Sequence, residues 1–203
     1  MSRVRTRPTR DDTCEKLFEA AARVFEEQGI GGASIEIIAA AAGFTRGAFY
    51  SNFKSKDELI IAMLEDHLGQ TIRLNLDLLA RHKNLADFID ALKTMDRSRQ
   101  DPLGRSPLLH MEMILFVARA EKRRPELAKR LRAGRKLIAD IIETTAKNSG
   151  RNPGLDPAWW GAIVLAMEDG FRLHRLIDPE TTPADSFLRA IGDLRRAIGA
   201  ASA

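Results

Sequence analysis

Cysteine and aromatic residues are scarce in this sequence. Cys14 is the only cysteine among 203 residues, so no intramolecular disulfide can form and a reducing compartment is the natural setting. Aromatic residues make up only 6% of the chain, and no sustained stretch alternates β-branched with polar residues at a period of two. The sequence therefore predicts an all-α fold with a core built mainly from aliphatic side chains.

Segments for targeting or membrane insertion are also missing. No apolar run approaches the roughly 18 residues that a membrane-spanning helix needs. The N-terminus is basic but lacks the apolar centre of a signal peptide. We therefore expect a soluble, intracellular protein.

The patterns that usually indicate catalysis or metal binding do not occur. The four histidines are far apart in the sequence, with no second ligand at metal-binding spacing; they are His67, His82, His110 and His174. The glycine-rich segment 29–33 lacks the Lys-Ser/Thr pair of a phosphate-binding loop, and no nucleophile elbow or dinucleotide fingerprint is present. We expect no metal, no cofactor and no enzymatic activity.

The segment from Ser34 to Lys56 has the composition of two short helices joined by a tight turn. Ser34 suits the N-cap of the first helix and Thr45 that of the second. Gly43 suits the left-handed residue that ends the first helix. This arrangement predicts a helix-turn-helix, whose second helix enters the major groove of DNA.

The second of these helices has an apolar face and a polar face. Phe49 and Phe53, four residues apart, are placed to pack against the first helix. The residues left for solvent are of the types that read bases or touch phosphates; they are Arg46, Gly47, Tyr50 and Ser51. An ordinary aromatic cluster is the alternative interpretation of Phe49, Tyr50 and Phe53.

A capping box opens the long helix that follows. Ser55 is the predicted N-cap and Glu58 the residue three positions later. Lys56 would then lie at the helix N-terminus, where a cation is unfavourable against the helix dipole. A DNA phosphate held by this lysine would account for it, and a solvated lysine is the alternative.

The run from Gly43 to Phe53, followed by Lys56 and Leu59, closely resembles the N-terminal signature of the tetracycline-repressor (TetR) family of bacterial regulators. The resemblance covers residues 10–60. It implies phosphate contacts and base contacts for particular residues. The implied phosphate ligands are Ser34, Thr45, Tyr50, Asn52 and Lys56, and the residues implied to face bases are Arg46 and Gly47.

Two positions depart from the commoner family pattern. Ala48 stands where many members carry a polar side chain, and Asn52 stands where many carry histidine. Ala48 offers only an apolar contact, for instance to a thymine methyl group, so polar readout should depend more heavily on Arg46.

A basic arm precedes the first predicted helix. Residues 1–10 contain Arg3, Arg5, Arg7 and Arg10 and no acidic residue, although the net charge of the whole chain is only +4. Such an arm neutralises phosphates or enters the minor groove, and it makes DNA affinity depend on salt. A tail that serves only solubility is the alternative.

Prolines mark the helix boundaries in the rest of the chain. Each is expected at the first position of a new helix, where its missing N–H costs nothing. The helices so predicted span 107–121, 125–148, 157–177 and 183–199. With the earlier ones, from a first helix over about 11–28, they make about nine, which matches the family architecture. We divide the chain into a flexible basic arm (1–10), a helix-turn-helix domain (11–55) and a helical effector-binding and dimerisation domain (56–203).

The last two predicted helices are apolar over much of their circumference, which indicates burial on more than one side. Paired across a two-fold axis they would form a four-helix interface, as the resemblance also implies. The predicted interface residues are Trp160, Val164, Phe171, Phe187, Ile191, Leu194 and Ile198. A monomeric core completed by both helices is the alternative.

The resemblance further implies a small-molecule effector that binds inside the helical body and moves the fourth helix, which lowers operator affinity. The large or polar side chains selected as ligand-binding candidates are His67, His110, Met111, Met113, Phe116, Trp159, Met167 and Phe171. Ordinary core packing explains the methionines and aromatics at least as well.

Three functions remain to be compared. The first is a dimeric repressor of the bacterial cytoplasm that binds a palindromic operator in double-stranded DNA and is released by a hydrophobic or amphipathic ligand. The second is a DNA-binding adaptor whose helical body binds another protein. The third is an all-helical enzyme, which would require His67, His110, Glu112 and His174 to lie together.

Overall fold

A computed structural model of the chain describes residues 9–82, 85–94, 103, 106–149 and 156–201. All regular structure within these residues is helical, so the all-α prediction is confirmed. The α-helices seen in the described residues are α1 (Arg10–Gly32), α2 (Ile35–Ala41), α3 (Arg46–Tyr50), α4 (Lys56–Arg81), α5 (Leu85–Thr94), α6 (Pro107–Arg119), α7 (Arg124–Ser149), α8 (Pro157–Ile177) and α9 (Ser186–Ala201). A short 3₁₀ helix, Glu121–Arg123, precedes α7. Arg3, Arg5 and Arg7 lie outside the described residues, as does the side chain of Ile198.

The first helix begins slightly earlier than predicted because Thr9 caps it. The Thr9 hydroxyl accepts a hydrogen bond from the Asp12 amide (3.1 Å), and the Asp12 carboxylate accepts one from the Thr9 amide (2.9 Å). Hydrogen bonding of the Asp12 carboxylate with the Thr9 amide, and secondly with the Thr9 hydroxyl, lowers the pKa of the Asp12 carboxyl. Gly29 directly follows the predicted end of the helix at residue 28 and interrupts it, with φ 71° and ψ 160°, but one more turn extends the helix to Gly32.

Proline marks helix starts less uniformly than predicted. Pro107 and Pro157 are the first residues of α6 and α8, and Pro125 is the second residue of α7. The prediction for Pro183 is wrong, because α9 begins only at Ser186. Asp178 organises a turn before it, in which its carboxylate accepts hydrogen bonds from the Thr181 amide and hydroxyl. A second turn follows, closed by a hydrogen bond from the Ser186 amide to the Pro183 carbonyl (3.1 Å), so residues 183–185 precede the helix.

The chain divides into two compact units. The first contains residues 1–67 and 100–127, and the second contains residues 68–99 and 128–203. In the first unit, one continuous core joins α1, α2, α3, the start of α4 and α6. Side chains in this core that are less than 2% exposed include Leu17, Phe25, Ile38, Phe49, Leu59, Ile60, Leu109 and Met113. Helices α2 and α3 are therefore supported by α4 and α6 as well as by α1.

The second unit has a smaller cluster around Leu78, Phe88 and Ile89, against which Leu188 and Ile191 of α9 pack. Its helices α7 and α8 approach closely at Gly161. A Cβ atom added to Gly161 would lie 2.4 Å from the backbone oxygen of Arg135, so only glycine fits there.

None of the helices in the described part of the chain is both long enough and apolar enough to cross a membrane.

Candidate nucleic-acid interface

The turn between α2 and α3 has the predicted geometry. Ser34 Oγ accepts a hydrogen bond from the Ile37 amide (3.2 Å), and Thr45 Oγ1 accepts one from the Ala48 amide (3.2 Å). Gly43 has φ 75°, a left-handed conformation that glycine adopts without strain. Both predicted N-caps and the predicted C-terminal glycine are confirmed, and together they hold two short helices in a helix-turn-helix.

The inner face of α3 is anchored by aromatic packing. Phe49 is fully buried and Phe53 is 6% exposed. The Phe53 ring lies 5.8 Å from that of Phe49 and 5.9 Å from that of Phe18 on α1, between ring centroids. A helix of only five residues has little stability of its own, so this packing fixes its position.

The outer face of α3 is open to solvent. The residues that we predicted to face outward are all exposed; they are Arg46, Gly47, Tyr50 and Ser51. Thr45 is also exposed, Ala48 is half-buried, and a Cβ atom on Gly47 would meet nothing closer than 3.7 Å. This face carries one long cation, one phenol and an uncovered stretch of backbone at Gly47, which suits insertion into a DNA groove.

Arg46 is held in place by its neighbours. Its guanidinium lies 3.0 Å from Glu36 Oε1 and 3.5 Å from the Tyr50 hydroxyl, and its Cζ is 5.4 Å from the centroid of the Tyr50 ring. The hydrogen bond to Tyr50 and the charge of Glu36 raise the pKa of Arg46. Arg46 thus presents a partnered cation on the exposed face, at the start of α3.

Sequence reasoning missed Glu36. Its carboxyl pKa is lowered by hydrogen bonds from its own amide and from the Ser34 hydroxyl, with a smaller contribution from Arg46. The available signal was that Glu36 is the only acidic residue between Gly29 and Lys56, in a segment otherwise neutral or basic.

Asn52 is half-buried and bonded within the first unit. Its amide nitrogen donates to the Ala48 carbonyl (2.9 Å), and its Oδ1 lies 3.7 Å from the Cys14 thiol, which donates to it. Burial raises the pKa of that thiol, which keeps it in the less reactive protonated form. The Asn52 side chain, for which we predicted a phosphate contact, is therefore already hydrogen-bonded within the protein at the end of α3.

Lys56 is engaged with backbone carbonyls. Its Nζ donates to the carbonyl of Ile30 at 2.6 Å and to that of Ala33 at 2.8 Å. These hydrogen bonds explain the presence of a lysine at the start of α4 without a contact to DNA. The capping box is only half formed: the Ser55 hydroxyl accepts from the Glu58 amide, but the Glu58 carboxylate accepts from the Lys54 amide instead of that of Ser55.

The predicted ligand-binding residues have unlike environments. Met113 is fully buried in the core of the first unit, while Trp159 is 62% exposed. The structure brings together His67 and His110, whose ring centroids are 4.6 Å apart. The half-buried members of the set are His67, Met111, Phe116, Met167 and Phe171. Within the described residues, no group of three or more His, Cys, Asp or Glu side chains is arranged to hold a metal ion.

Six of the predicted dimer residues, all except Ile198, have described side chains, and these are neither buried nor fully exposed in the single chain. The half-buried members are Trp160, Val164, Phe171, Phe187, Ile191 and Leu194. Gly161 is the only residue of α8 that is buried in the single chain. Exposed apolar side chains continue to the end of this helix, with Leu173, Leu176 and Ile177 at 44%, 39% and 74% exposure.

Two family models match the chain. Residues 17–63 match "Bacterial regulatory proteins, tetR family", and residues 82–197 match "Tetracyclin repressor-like, C-terminal domain". The first match contains the helix-turn-helix, and the second spans more than half of the 203 residues.

Individual relatives agree with these matches. The chain is 38% identical over 91 residues to the HTH-type transcriptional regulator TtgR of Pseudomonas putida, a segment that spans 45% of this chain and 41% of TtgR. A TetR-family regulator from Cytophaga hutchinsonii has the same fold, with a TM-score of 0.72, 18% identity and coverage of 94% and 96%. The regulator FadR of Bacillus subtilis, solved in complex with stearoyl-CoA, gives a TM-score of 0.64 at 15% identity, over 90% of this chain and 96% of FadR.

Proposed function

Because the chain belongs to the TetR family of bacterial regulatory proteins, we propose that it is a dimeric, sequence-specific DNA-binding repressor that a small hydrophobic or amphipathic ligand releases from its operator. DNA binding and transcriptional regulation are the functions of the family. Dimerisation, repression and ligand release are the parts that we propose for this chain.

The observation that carries the proposal is the two-sided structure of α3. One side is anchored by the buried Phe49, and the other presents Arg46 on an exposed, nearly bare face. A rigidly held helix with one long donor is suited to base readout, since an arginine that donates two hydrogen bonds to guanine discriminates by about 1–3 kcal/mol. Ala48 beside it offers an apolar contact to a thymine methyl group.

Phosphate contacts would surround this reading residue and fix the register of the head on DNA. We assign them to the exposed Thr45, Tyr50 and Ser51 and to Ser34 and Asn52 at the edges of the helix pair. Lys56 has one N–H beyond its two carbonyl bonds and could direct it to a phosphate. The arginines at positions 3, 5 and 7 would add electrostatic affinity of the kind that salt weakens.

Release by a ligand would act through the support beneath α3. Leu59 and Ile60 of α4 and Met113 of α6 share one core with Phe49, so a displacement of α4 would disturb the position of the reading helix. The effector class is proposed from the stearoyl-CoA bound by Bacillus subtilis FadR and, within the first unit, from the half-buried Met111 and Phe116.

A binding titration tests the proposal. Labelled DNA flanking the protein's own gene is compared with a scrambled fragment, for the wild type and for Arg46→Ala. We expect the wild type to prefer the flanking fragment and Arg46→Ala to lose roughly 1–3 kcal/mol of that preference at one base position. Equal binding of both fragments, unaffected by the substitution, would contradict specific readout and favour the adaptor alternative.

A further inference from the structure

Glu36 forms a chain of contacts with the reading arginine. The Ser34 hydroxyl caps α2 by accepting from the Ile37 amide, and it helps to lower the pKa of the nearby Glu36 carboxyl. That carboxylate lies 3.0 Å from the Arg46 guanidinium, which in turn reaches the Tyr50 hydroxyl at 3.5 Å. The first helix of the pair thereby holds the side chain that the second helix presents.

The contacts use only part of the hydrogen-bonding capacity of Arg46. Glu36 takes Nη1 and Tyr50 takes Nη2, whereas a guanidinium carries five N–H donors in a rigid plane. The remaining donors stay available to a base edge. Since Glu36 and the Tyr50 ring together restrict the orientation of that plane, they reduce the side-chain entropy that Arg46 would lose on binding.

The negative charge of the Glu36 carboxylate also affects which groups of the DNA can approach Arg46. Glu36 is the only acid between Gly29 and Lys56, and its side chain is 53% exposed beside the reading residue. A phosphate placed against Arg46 in a wrong register would meet this negative charge, whereas a guanine edge presents no formal charge. An element that rejects the incorrect partner contributes to specificity even where it adds no affinity.

We propose that Glu36 is a specificity-determining positioning residue: its carboxylate orients Arg46 for a base edge and repels phosphates from the arginine. This inference rests on the proposed DNA-binding function. An exposed ion pair contributes little to stability, so the role of this pair lies in DNA discrimination and not in folding.

The test measures base preference and affinity for random DNA separately. Glu36→Gln keeps the size of the side chain and removes its charge, while Glu27→Gln makes the same charge change at another exposed position in the first unit. For Glu36→Gln we expect the preference at the base read by Arg46 to fall by about two- to fivefold and random-DNA affinity to rise. Glu27→Gln should leave the base preference unchanged.

Arg46→Ala provides the coupling control. In that background Glu36→Gln should no longer alter base preference, because the side chain that it orients is gone. Tyr50→Phe, which removes only the hydroxyl, should reproduce part of the loss. Thermal melting of each variant checks that the fold is retained.

The outcomes distinguish a failure of the proposed DNA-binding function from a failure of the proposed role of Glu36. A wild type without sequence preference would overturn the proposed function. A wild type with a preference that Arg46→Ala abolishes, together with Glu36→Gln indistinguishable from wild type or from Glu27→Gln, would overturn the role of Glu36 and leave the function intact.

Discussion

Lys56 connects the start of α4 to the turn between α1 and α2 through two hydrogen bonds to backbone carbonyls. Its position at the start of α4, together with the family resemblance, pointed to a phosphate contact for Lys56. In the structure its ammonium group joins α4 to the carbonyls of Ile30 and Ala33, at the turn between α1 and α2. Ser34, the N-cap of α2, directly follows that turn. Lys56 thus fixes the start of α4 to the base of the helix-turn-helix.

We predict that Lys56→Met lowers the free energy of unfolding by about 1–3 kcal/mol, because two carbonyls lose charge-assisted hydrogen bonds. Urea unfolding in the absence of DNA measures this. Lys54→Met, a change of the same kind at an exposed side chain two residues earlier, should have little effect. Equal stability of the two variants would leave only the phosphate contact as a role for Lys56.

Local caps were predictable from sequence, whereas distant partners were not. Ser34, Gly43 and Thr45 act on backbone within three residues of themselves, and such contacts follow from residue type and spacing. Lys56 meets carbonyls 26 and 23 positions away. Glu36 meets an arginine on another helix. Contacts of this kind depend on how helices pack, which the spacing of polar residues does not encode.

The positions of helices with a clear hydrophobic periodicity were predicted closely from the sequence. The residues at which helices begin and end were predicted less accurately. The predicted span 157–177 equals that of α8, because Asp156 and Pro157 provide a clear start. Residues 183–185 instead form a turn, with a hydrogen bond from the Ser186 amide to the Pro183 carbonyl (3.1 Å), and α9 starts at Ser186. A proline is as compatible with a turn as with the first position of a helix, so its presence alone does not determine where the helix begins.

The contact of α7 with α8 depends on a glycine. A methyl group at Gly161 would collide with the Arg135 carbonyl at 2.4 Å, and backbone cannot move aside as a flexible side chain can. We predict that Gly161→Ala destabilises the protein by about 1–3 kcal/mol through this overpacking.

Gly170→Ala is the matched control on the same helix, since a Cβ atom there meets nothing within 4 Å. It should be neutral or stabilise by up to about 1 kcal/mol through helix propensity. Chemical denaturation of both variants provides the comparison. Similar midpoints for the two would show that α7 and α8 are not packed as closely as described.

At the scale of the whole molecule, the proposed function requires two reading helices. Sequence patterning predicted an association surface on α8 and α9, and in the single chain these helices keep half-buried and exposed apolar residues, including Phe171 and Ile177. Ile191 also packs on the core of its own unit, so its contribution to an interface is only partial. The proposed domain boundary after residue 55 remains a prediction, although α4 and α6 share a core with α3.

The most direct test of the account is a hydroxyl-radical footprint of the protein on the fragment that it prefers. A two-fold dimer predicts two protected half-sites about one helical turn apart, roughly 34 Å, or a multiple of that distance. Phe171→Glu should abolish the paired pattern and yield a monomer in sedimentation, because it would bury an unpaired charge at the proposed interface. One protected half-site from the wild type, or an unchanged pair from Phe171→Glu, would contradict a dimeric reader built on α8 and α9.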